Sequence, residues 1–290
     1  MILAKIVSFF HLPIPGSTNE GKITSCRIGM PIVTLTTDWT KDDYYTGAIK
    51  GRLLSACPGL QIVDITHSIP PFNTARAAFV VKNSYHHFPA GTVHLICVNS
   101  EPSAGEAIVA LKYGEHFLIG NDNGIFGLII KDEPEAIVEL TAAENELPGF
   151  ISLGVFVNAA SRLVSGVPLE EIGIKREKLA RSIPRRATID KDVIIGSVIY
   201  IDSYENAITN ITKELYDRIG RGRQFEIALQ SNHYKLNRIN RNYGETSVGE
   251  LLVLFNSLGL LEVAINRGNA AELLSLSTSS TIRIKFFEKE

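Results

Sequence analysis

Paired cysteines, long apolar runs, glycine-rich nucleotide loops and a surplus of charge are all missing from this chain, and each absence removes a class of function. Only Cys26, Cys57 and Cys97 are present, at no paired spacing, so neither a disulfide framework nor a zinc site is expected. Cys57 and Cys97 stand in apolar surroundings that suit small buried thiols in a reducing cytoplasm. No apolar run approaches the roughly 18 to 20 residues a membrane helix needs. The opening Met1-Ile-Leu-Ala-Lys-Ile-Val-Ser-Phe-Phe leads into His11 and prolines rather than a signal cleavage site. A formal charge of -2 gives no attraction to nucleic acid or anionic membranes. No strand leads into Gly-x-Gly-x-x-Gly or a Walker-type loop, and Gly220-Arg-Gly222 follows a helical stretch and reads as a turn. His86 and His87 have no partner at metal-ligand spacing and read as surface residues, so no metal is expected. What remains is a cytoplasmic protein with a small-molecule partner.

What the chain has is length and apolar content: 290 residues at 45% hydrophobic can bury one large core or two moderate ones. Residues 1–29 read as an extension, with Met30 as the physiological start. From Met30 to about Gly173 strands alternate with helices, which predicts an α/β domain over residues 30–180, a mixed sheet covered by helices. Strands are expected at Ile32–Leu35, Gln61–Ile65, Val93–Val98 and Ala136–Leu140, a hairpin about Tyr113-Gly114-Glu115, and helices at Tyr44–Ala56, Thr74–His86 and Val155–Val164. The basic, aperiodic stretch around Lys175–Arg186 reads as a linker near residues 174–192. Beyond it, short strands at Val193–Ile201, Phe225–Ala228, Tyr234–Leu236, Leu251–Leu254, Leu260–Ala264 and Thr281–Lys285 predict a small antiparallel β-barrel over residues 190–290. One helix, Thr212–Ile219 capped by Thr212, interrupts them.

Candidate functional residues gather at strand ends. The strand Ile32–Leu35 runs into Thr36-Thr37-Asp38, where an open α/β sheet collects ligands; Asp38 can hold a ribose diol or a cation, and equally Thr37 or Asp38 can cap the helix that follows. If the ligand is a nucleoside, the lack of a glycine loop means it is held by carboxylate to ribose, aromatic stacking and backbone hydrogen bonds. Phe72 is a candidate wall or a helix staple, and Asn256-Ser257 a contact or a turn. Asp202 and Asn206, ending the apolar strand Val198–Ile201, suit a zwitterion or shape a turn. His67 reads as a hydrogen-bonded structural residue that has a base as its alternative, and Asp122-Asn123-Gly124 as a turn lining the site.

Thr36-Thr-Asp38, Asp43-Tyr-Tyr-Thr-Gly47, Lys50-Gly51, Asp64-Ile-Thr-His67, Phe88-Pro-Ala-Gly-Thr-Val-His94 and Asp122-Asn-Gly124 occur in this order in one family. They are followed by Asp202-Ser-Tyr-Glu-Asn206, Tyr243-Gly-Glu, Asn256-Ser257-Leu-Gly259 and Asn266-Arg-Gly-Asn269-Ala270. From about Ile32 to near Ile284 the chain resembles the S-adenosylmethionine hydroxide adenosyltransferases, relatives of the fluorinase and chlorinase enzymes. The resemblance implies hydrolysis of S-adenosylmethionine to adenosine and L-methionine without metal or organic cofactor. It implies Asp38 on the ribose, Phe72 enclosing the substrate, Tyr243, Asn256 and Ser257 around the adenine, and Asp202 and Asn206 on the methionine ammonium and carboxylate. It further implies a homotrimer with each site between the first domain of one subunit and the second domain of its neighbour.

The chain departs from the family in the residues thought to activate water. Asn99-Ser-Glu101-Pro-Ser-Ala-Gly105 stands where an Asp-Pro-Gly-Val-Gly loop is usual, which makes Glu101 the candidate base or, alternatively, an ordinary loop end. The arginine seven residues on has no equivalent, and Phe150-Ile-Ser-Leu-Gly154 replaces a Phe-His-Gly-Arg-Asp segment, with Ile151 at the histidine position. Ser152 matches a serine that helps hold halide in the halogenating relatives. The expected activity is therefore S-adenosylmethionine hydrolase. A non-catalytic S-adenosylmethionine or adenosine binding protein is the alternative, and a halide adenosyltransferase a third.

Overall fold

The structure is a computed structural model that describes residues 30–142, 150–229 and 234–288; the extension expected at residues 1–29 lies outside them. The first half is an α/β layer around a seven-stranded mixed sheet. Its elements in chain order are β1 (Ile32–Thr37), α1 (Tyr44–Ala56), β2 (Gln61–Thr66), α2 (Thr74–Lys82), β3 (Val93–Cys97), β4 (Ile108–Tyr113), β5 (His116–Asn121), α3 (Phe126–Ile129), β6 (Ala136–Glu139), α4 (Ile151–Val164) and β7 (Ile174–Lys175). The strand order is β2-β1-β3-β5-β4-β6-β7, parallel from β2 to β5 and antiparallel beyond. β1 and β3 are apolar or threonine-rich and fully covered, because one sheet face packs on α1 and α4 and the other on α2 and α3. The C-terminal ends of β1, β2 and β3 therefore come out side by side, at the edge where the chain leaves the sheet.

The second half is antiparallel: β8 (Thr188–Asp190), β9 (Val193–Ile201), β10 (Ala207–Thr212), α5 (Lys213–Gly220), β11 (Phe225–Leu229), β12 (Lys235–Leu236), β13 (Leu251–Phe255), β14 (Leu260–Ile265), α6 (Ala270–Leu273) and β15 (Thr281–Phe286). The order β12-β11-β15-β9-β10-β14-β13, with β8 on β9, makes a nearly closed barrel around Ile194, Val198, Ile227, Val253, Val263 and Ile284. Thr212 caps α5 as expected, its hydroxyl accepting from Leu215 N at 3.1 Å.

Several local expectations are corrected. The helix expected to reach His86 ends at Lys82, where Asn83 closes it, and a short 3-10 turn covers Tyr85–His87. α4 starts at Ile151 rather than Val155. The basic stretch read as a linker is mostly exposed, with the short strands β7 and β8 near its two ends, and Asp122, 2% exposed, holds its middle by accepting from Ala180 N at 2.9 Å and pairing with Arg176 at 3.1 Å. Burial raises the Asp122 carboxyl, against the lowering effect of the Ala180 N–H and the Arg176 charge. The halves also meet directly where α2 lies on β9: the Arg76 guanidinium donates to Ile201 O at 2.9 Å and covers the Tyr200 ring, which stacks on Phe79 at 4.4 Å.

Candidate active site

Asp38 leaves the end of β1 and ties together two loops far apart in sequence. Its Oδ2 accepts from Phe72 N at 2.9 Å and from Asn99 N at 3.1 Å. Phe72 and Asn99 both have positive φ, 63° and 46°, a conformation that costs a non-glycine residue about 1 kcal/mol or more. Two charge-assisted bonds to one carboxylate oxygen offset that strain. The capping alternative is thereby settled: α1 begins after Asp43, whose side chain makes no cap bond, and Asp38 faces the β2–α2 and β3–β4 loops instead. Among the described residues no donor meets Asp38 Oδ1, which leaves that oxygen for a ligand hydroxyl. Asn99 is held from behind, its carbonyl accepting from Asn121 Nδ2 at 3.0 Å and Asn123 Nδ2 at 3.3 Å, so the Asp122-Asn123-Gly124 turn backs this corner.

Phe72 does not staple α2; it is 73% exposed, and Asn73 makes the cap by accepting from Arg76 N. On the other side of the corner Trp39, Tyr45 and Phe150 form an edge-to-face aromatic cluster at the start of α4. Glu101 approaches that same helix start: Oε1 accepts from Ser152 N at 2.9 Å and Oε2 from Ile151 N at 3.3 Å. A carboxylate there satisfies two otherwise unpaired N–H groups and complements the helix dipole. Each oxygen keeps a further lone pair. Ser152 itself is wholly buried, its hydroxyl donating to Ser100 Oγ at 3.1 Å.

His67 links this edge to α1. Its Nδ1 is 2.9 Å from Thr37 Oγ1, and Nε2 is 3.1 Å from Asp64 Oδ1 but poorly aligned for a hydrogen bond; Asp64 Oδ2 in turn takes Lys50 Nζ at 2.6 Å. Burial works to raise the Asp64 carboxyl, yet Lys50 and His67 hold it below the usual range. This array fixes the orientation of Thr37, immediately before Asp38.

The barrel half presents a second group of polar side chains. Asp202 Oδ1 accepts from Tyr204 N and Asn206 N, both at 2.9 Å, and Oδ2 from Asn206 Nδ2 at 3.1 Å, shaping the β9–β10 turn. Tyr243 Oη donates to Glu262 Oε1 at 2.6 Å, and Asn256 Nδ2 to Glu262 Oε2 at 3.0 Å. Burial first, then the Glu262 hydrogen bond and the Glu262 and Asp202 charges, raise the Tyr243 phenol. Asn256 Oδ1 accepts from Leu258 N and Leu260 N, so the residue both shapes the β13–β14 turn and reaches inward; Ser257 stands exposed on that turn. Glu262 was not anticipated from sequence, and its one signal is a carboxylate inside the buried strand Leu260–Ile265. A chain of contacts joins the groups, from Asp38 to Phe72, along the first turn of α2 to Arg76, and across to Ile201 beside Asp202.

Two properties define the arrangement. Among the described residues Asp38, Asp202 and Glu262 accept only from backbone amides, a phenol and two carboxamides, and no Lys or Arg pairs with any of them. Phe72, Tyr204 and Tyr243, each close in sequence or by hydrogen bond to one of these carboxylates, are 73%, 76% and 43% exposed. Two surface grooves, of about 770 and 550 Å³, lie elsewhere, one between α1 and α4 and one beside α5. Among the described residues no three His, Cys, Asp or Glu side chains are placed to hold a metal ion.

The N-terminal domain model of the SAM hydroxide adenosyltransferases matches residues 33–173 and the C-terminal domain model residues 196–283. The chain belongs to the SAM hydroxide adenosyltransferase family. Within that family it is 31% identical over 265 residues to an (R)-S-adenosyl-L-methionine hydrolase of Thermus thermophilus, covering 85% of this chain and 96% of the relative. A Salinispora tropica protein of the same name is 28% identical over 262 residues, covering 88% and 97%. A fluorinase of Actinoplanes is 26% identical over 294 residues, covering 88% and 98%. Among solved structures of similar shape, a conserved protein of Thermotoga maritima superposes with a TM-score of 0.78 at 27% identity, covering 87% of this chain and 99% of that one. A conserved protein of Thermus thermophilus does so at 0.68 and 30% identity, covering 88% and 100%.

Proposed function

We propose that this adenosyltransferase-family protein hydrolyses S-adenosylmethionine, water attacking the ribose 5′-carbon as the carbon–sulfur bond breaks. The products are adenosine, L-methionine and one proton. The observation that carries the reading is the set of three carboxylates, Asp38, Asp202 and Glu262, satisfied by neutral donors with no basic partner among the described residues. Such a field favours a ligand with sulfonium and ammonium charges, and it holds neutral adenosine and zwitterionic methionine less strongly. Relatives named (R)-S-adenosyl-L-methionine hydrolase at 28% and 31% identity support the same choice.

In this reading Asp38 Oδ1 binds the ribose diol, Phe72 and Tyr243 enclose the nucleoside, and Asn256 and Ser257 border the base. Asp202 and Asn206 receive the amino-acid end, and Ser152 lends its N–H to the Glu101 anchor. A sulfonium leaves as a neutral thioether, so the reaction needs no acid, metal or organic cofactor; it needs water aligned behind the carbon. Glu101, with its spare lone pairs and its carboxylate fixed on the start of α4, is the water-orienting acceptor. The exposure of Phe72, Tyr204 and Tyr243 supports a trimer in which a neighbouring subunit's barrel completes each site. No helix among the described residues is long and apolar enough to cross a membrane. A second reading, a binding protein that has lost turnover, is favoured by Glu101 serving the helix and by Ile151 at the position of the family histidine. Incubation with S-adenosylmethionine and chromatography decides between them, with Asp38→Ala as the contamination control. Adenosine and methionine formed by the wild type and not by the variant support hydrolysis; calorimetric binding without product supports the second reading.

A further inference from the structure

We infer that Glu262 is a positioning residue: by accepting the hydrogen bond of the Tyr243 phenol it fixes the tyrosine ring as a rigid stacking wall for a planar, purine-like ligand. The inference rests on the hydrolase reading and adds to it a residue that touches no substrate. Glu262 is 2% exposed on β14, an interior strand of the barrel between β10 and β13, with Leu261, Val263 and Ala264 beside it fully buried. Burying a carboxylate with no cation is costly unless its oxygens are hydrogen-bonded. Each oxygen here has one neutral donor, Tyr243 Oη at 2.6 Å or Asn256 Nδ2 at 3.0 Å.

The hydrogen-bond valences define the direction of each contact. An ionised carboxylate only accepts, so the phenol must donate to it, and the phenol oxygen is left facing outward as an acceptor. Asn256 cannot turn its amide over, because its oxygen already accepts from Leu258 N and Leu260 N. Tyr243 belongs to the 3-10 turn Tyr243–Glu245, itself held by Arg241 N donating to Glu245 Oε2 at 3.1 Å and by the Thr246 hydroxyl donating to Tyr243 O at 3.2 Å. The ring is thus anchored at its backbone and at its phenol oxygen while 43% of the residue stays exposed. An aromatic side chain restrained at both ends loses little entropy when a base stacks on it.

Glu262→Met keeps the length of the side chain but offers no oxygen to Tyr243 Oη or Asn256 Nδ2, so both bonds are lost; a glutamine would not serve, because its amide can donate to the phenol oxygen. The test measures adenosine and S-adenosylmethionine affinity by calorimetry, with KM and kcat, for wild type, Glu262→Met, Tyr243→Phe and the double variant. Tyr243→Phe keeps the ring and removes only the hydroxyl that meets Glu262, and it remains informative if the Glu262 variant folds poorly. The expected result is weaker binding and a higher KM by on the order of tenfold for either single variant, with kcat within about threefold. The double variant is expected to be no worse than the singles, since the two residues act as one unit. Unchanged affinity in Glu262→Met, or losses that multiply in the double variant, would overturn the inference while leaving hydrolysis intact. A wild type that binds neither ligand would overturn the hydrolase reading and the inference with it.

Discussion

Acid should destabilise this fold through one buried histidine. His94 on β3 is 1% exposed, with Nδ1 2.8 Å from Thr34 Oγ1 and Nε2 3.3 Å from His116 Nδ1. Burial, then the neighbouring His116 charge, lowers its pKa from 6.5 to about 3. His116 is lowered as well, chiefly by burial and further by His86, with Glu115 acting the other way. Because the folded pKa lies below the unfolded one, the unfolded chain binds the extra proton. Stability is therefore full above pH 6.5 and falls as the pH drops from 6.5 toward 3. Between pH 7.5 and 5 the His94 contribution alone amounts to a loss of about 2 kcal/mol. For a chain of this size that corresponds to a fall in Tm of about 4–8 °C. Urea melts of wild type and His94→Gln at both pH values test this, the glutamine keeping an amide for Thr34 while removing the proton site. The variant should be less stable at pH 7.5 but lose about 2 kcal/mol less on acidification. Equal losses in both proteins would refute the reasoning.

Three further perturbations separate binding from scaffold. Asp38→Asn keeps an oxygen able to accept from both Phe72 N and Asn99 N, so its melting should stay within about 1 kcal/mol of wild type, whereas Asp38→Ala should lose about 2–4 kcal/mol in denaturant titrations. Equal stability of the two variants would contradict the strap assigned to Asp38. Glu101→Gln should cost about 1 kcal/mol at the start of α4 and about a hundredfold in kcat with ligand affinity preserved; a full kcat would reduce Glu101 to a helix cap. Lys50→Met should raise the Asp64 carboxyl toward its ordinary value and change stability by only about 0.5 kcal/mol, since the pair is partly exposed; an NMR titration in which the Asp64 carboxyl does not move would show that Lys50 is not what lowers it.

Legibility in the sequence followed the range of the interactions. Local rules located β1 from its β-branched run and α5 from the Thr212 cap, because both depend on neighbours within a few residues. β10 escaped because Ala207-Ile-Thr-Asn-Ile-Thr mixes polar and apolar residues, and its burial comes from pairing with β9 and β14. The start of α4 escaped for a related reason: its cap is Glu101, 50 residues upstream of Ile151. The Asp38 corner was recognisable as a strand end, but its two backbone donors are 34 and 61 residues away. Glu262 is the extreme case, since its role exists only once the barrel brings Tyr243 and Asn256 to it.

The most direct measurement of the central claim is turnover of S-adenosylmethionine in 18O-enriched water, with mass analysis of the products. Attack of water at the ribose 5′-carbon must place the heavy oxygen in the 5′-hydroxyl of adenosine and leave methionine unlabelled, at a rate proportional to enzyme and abolished in Asp38→Ala. Methylthioadenosine in place of adenosine, unlabelled adenosine, or binding with no product would contradict it.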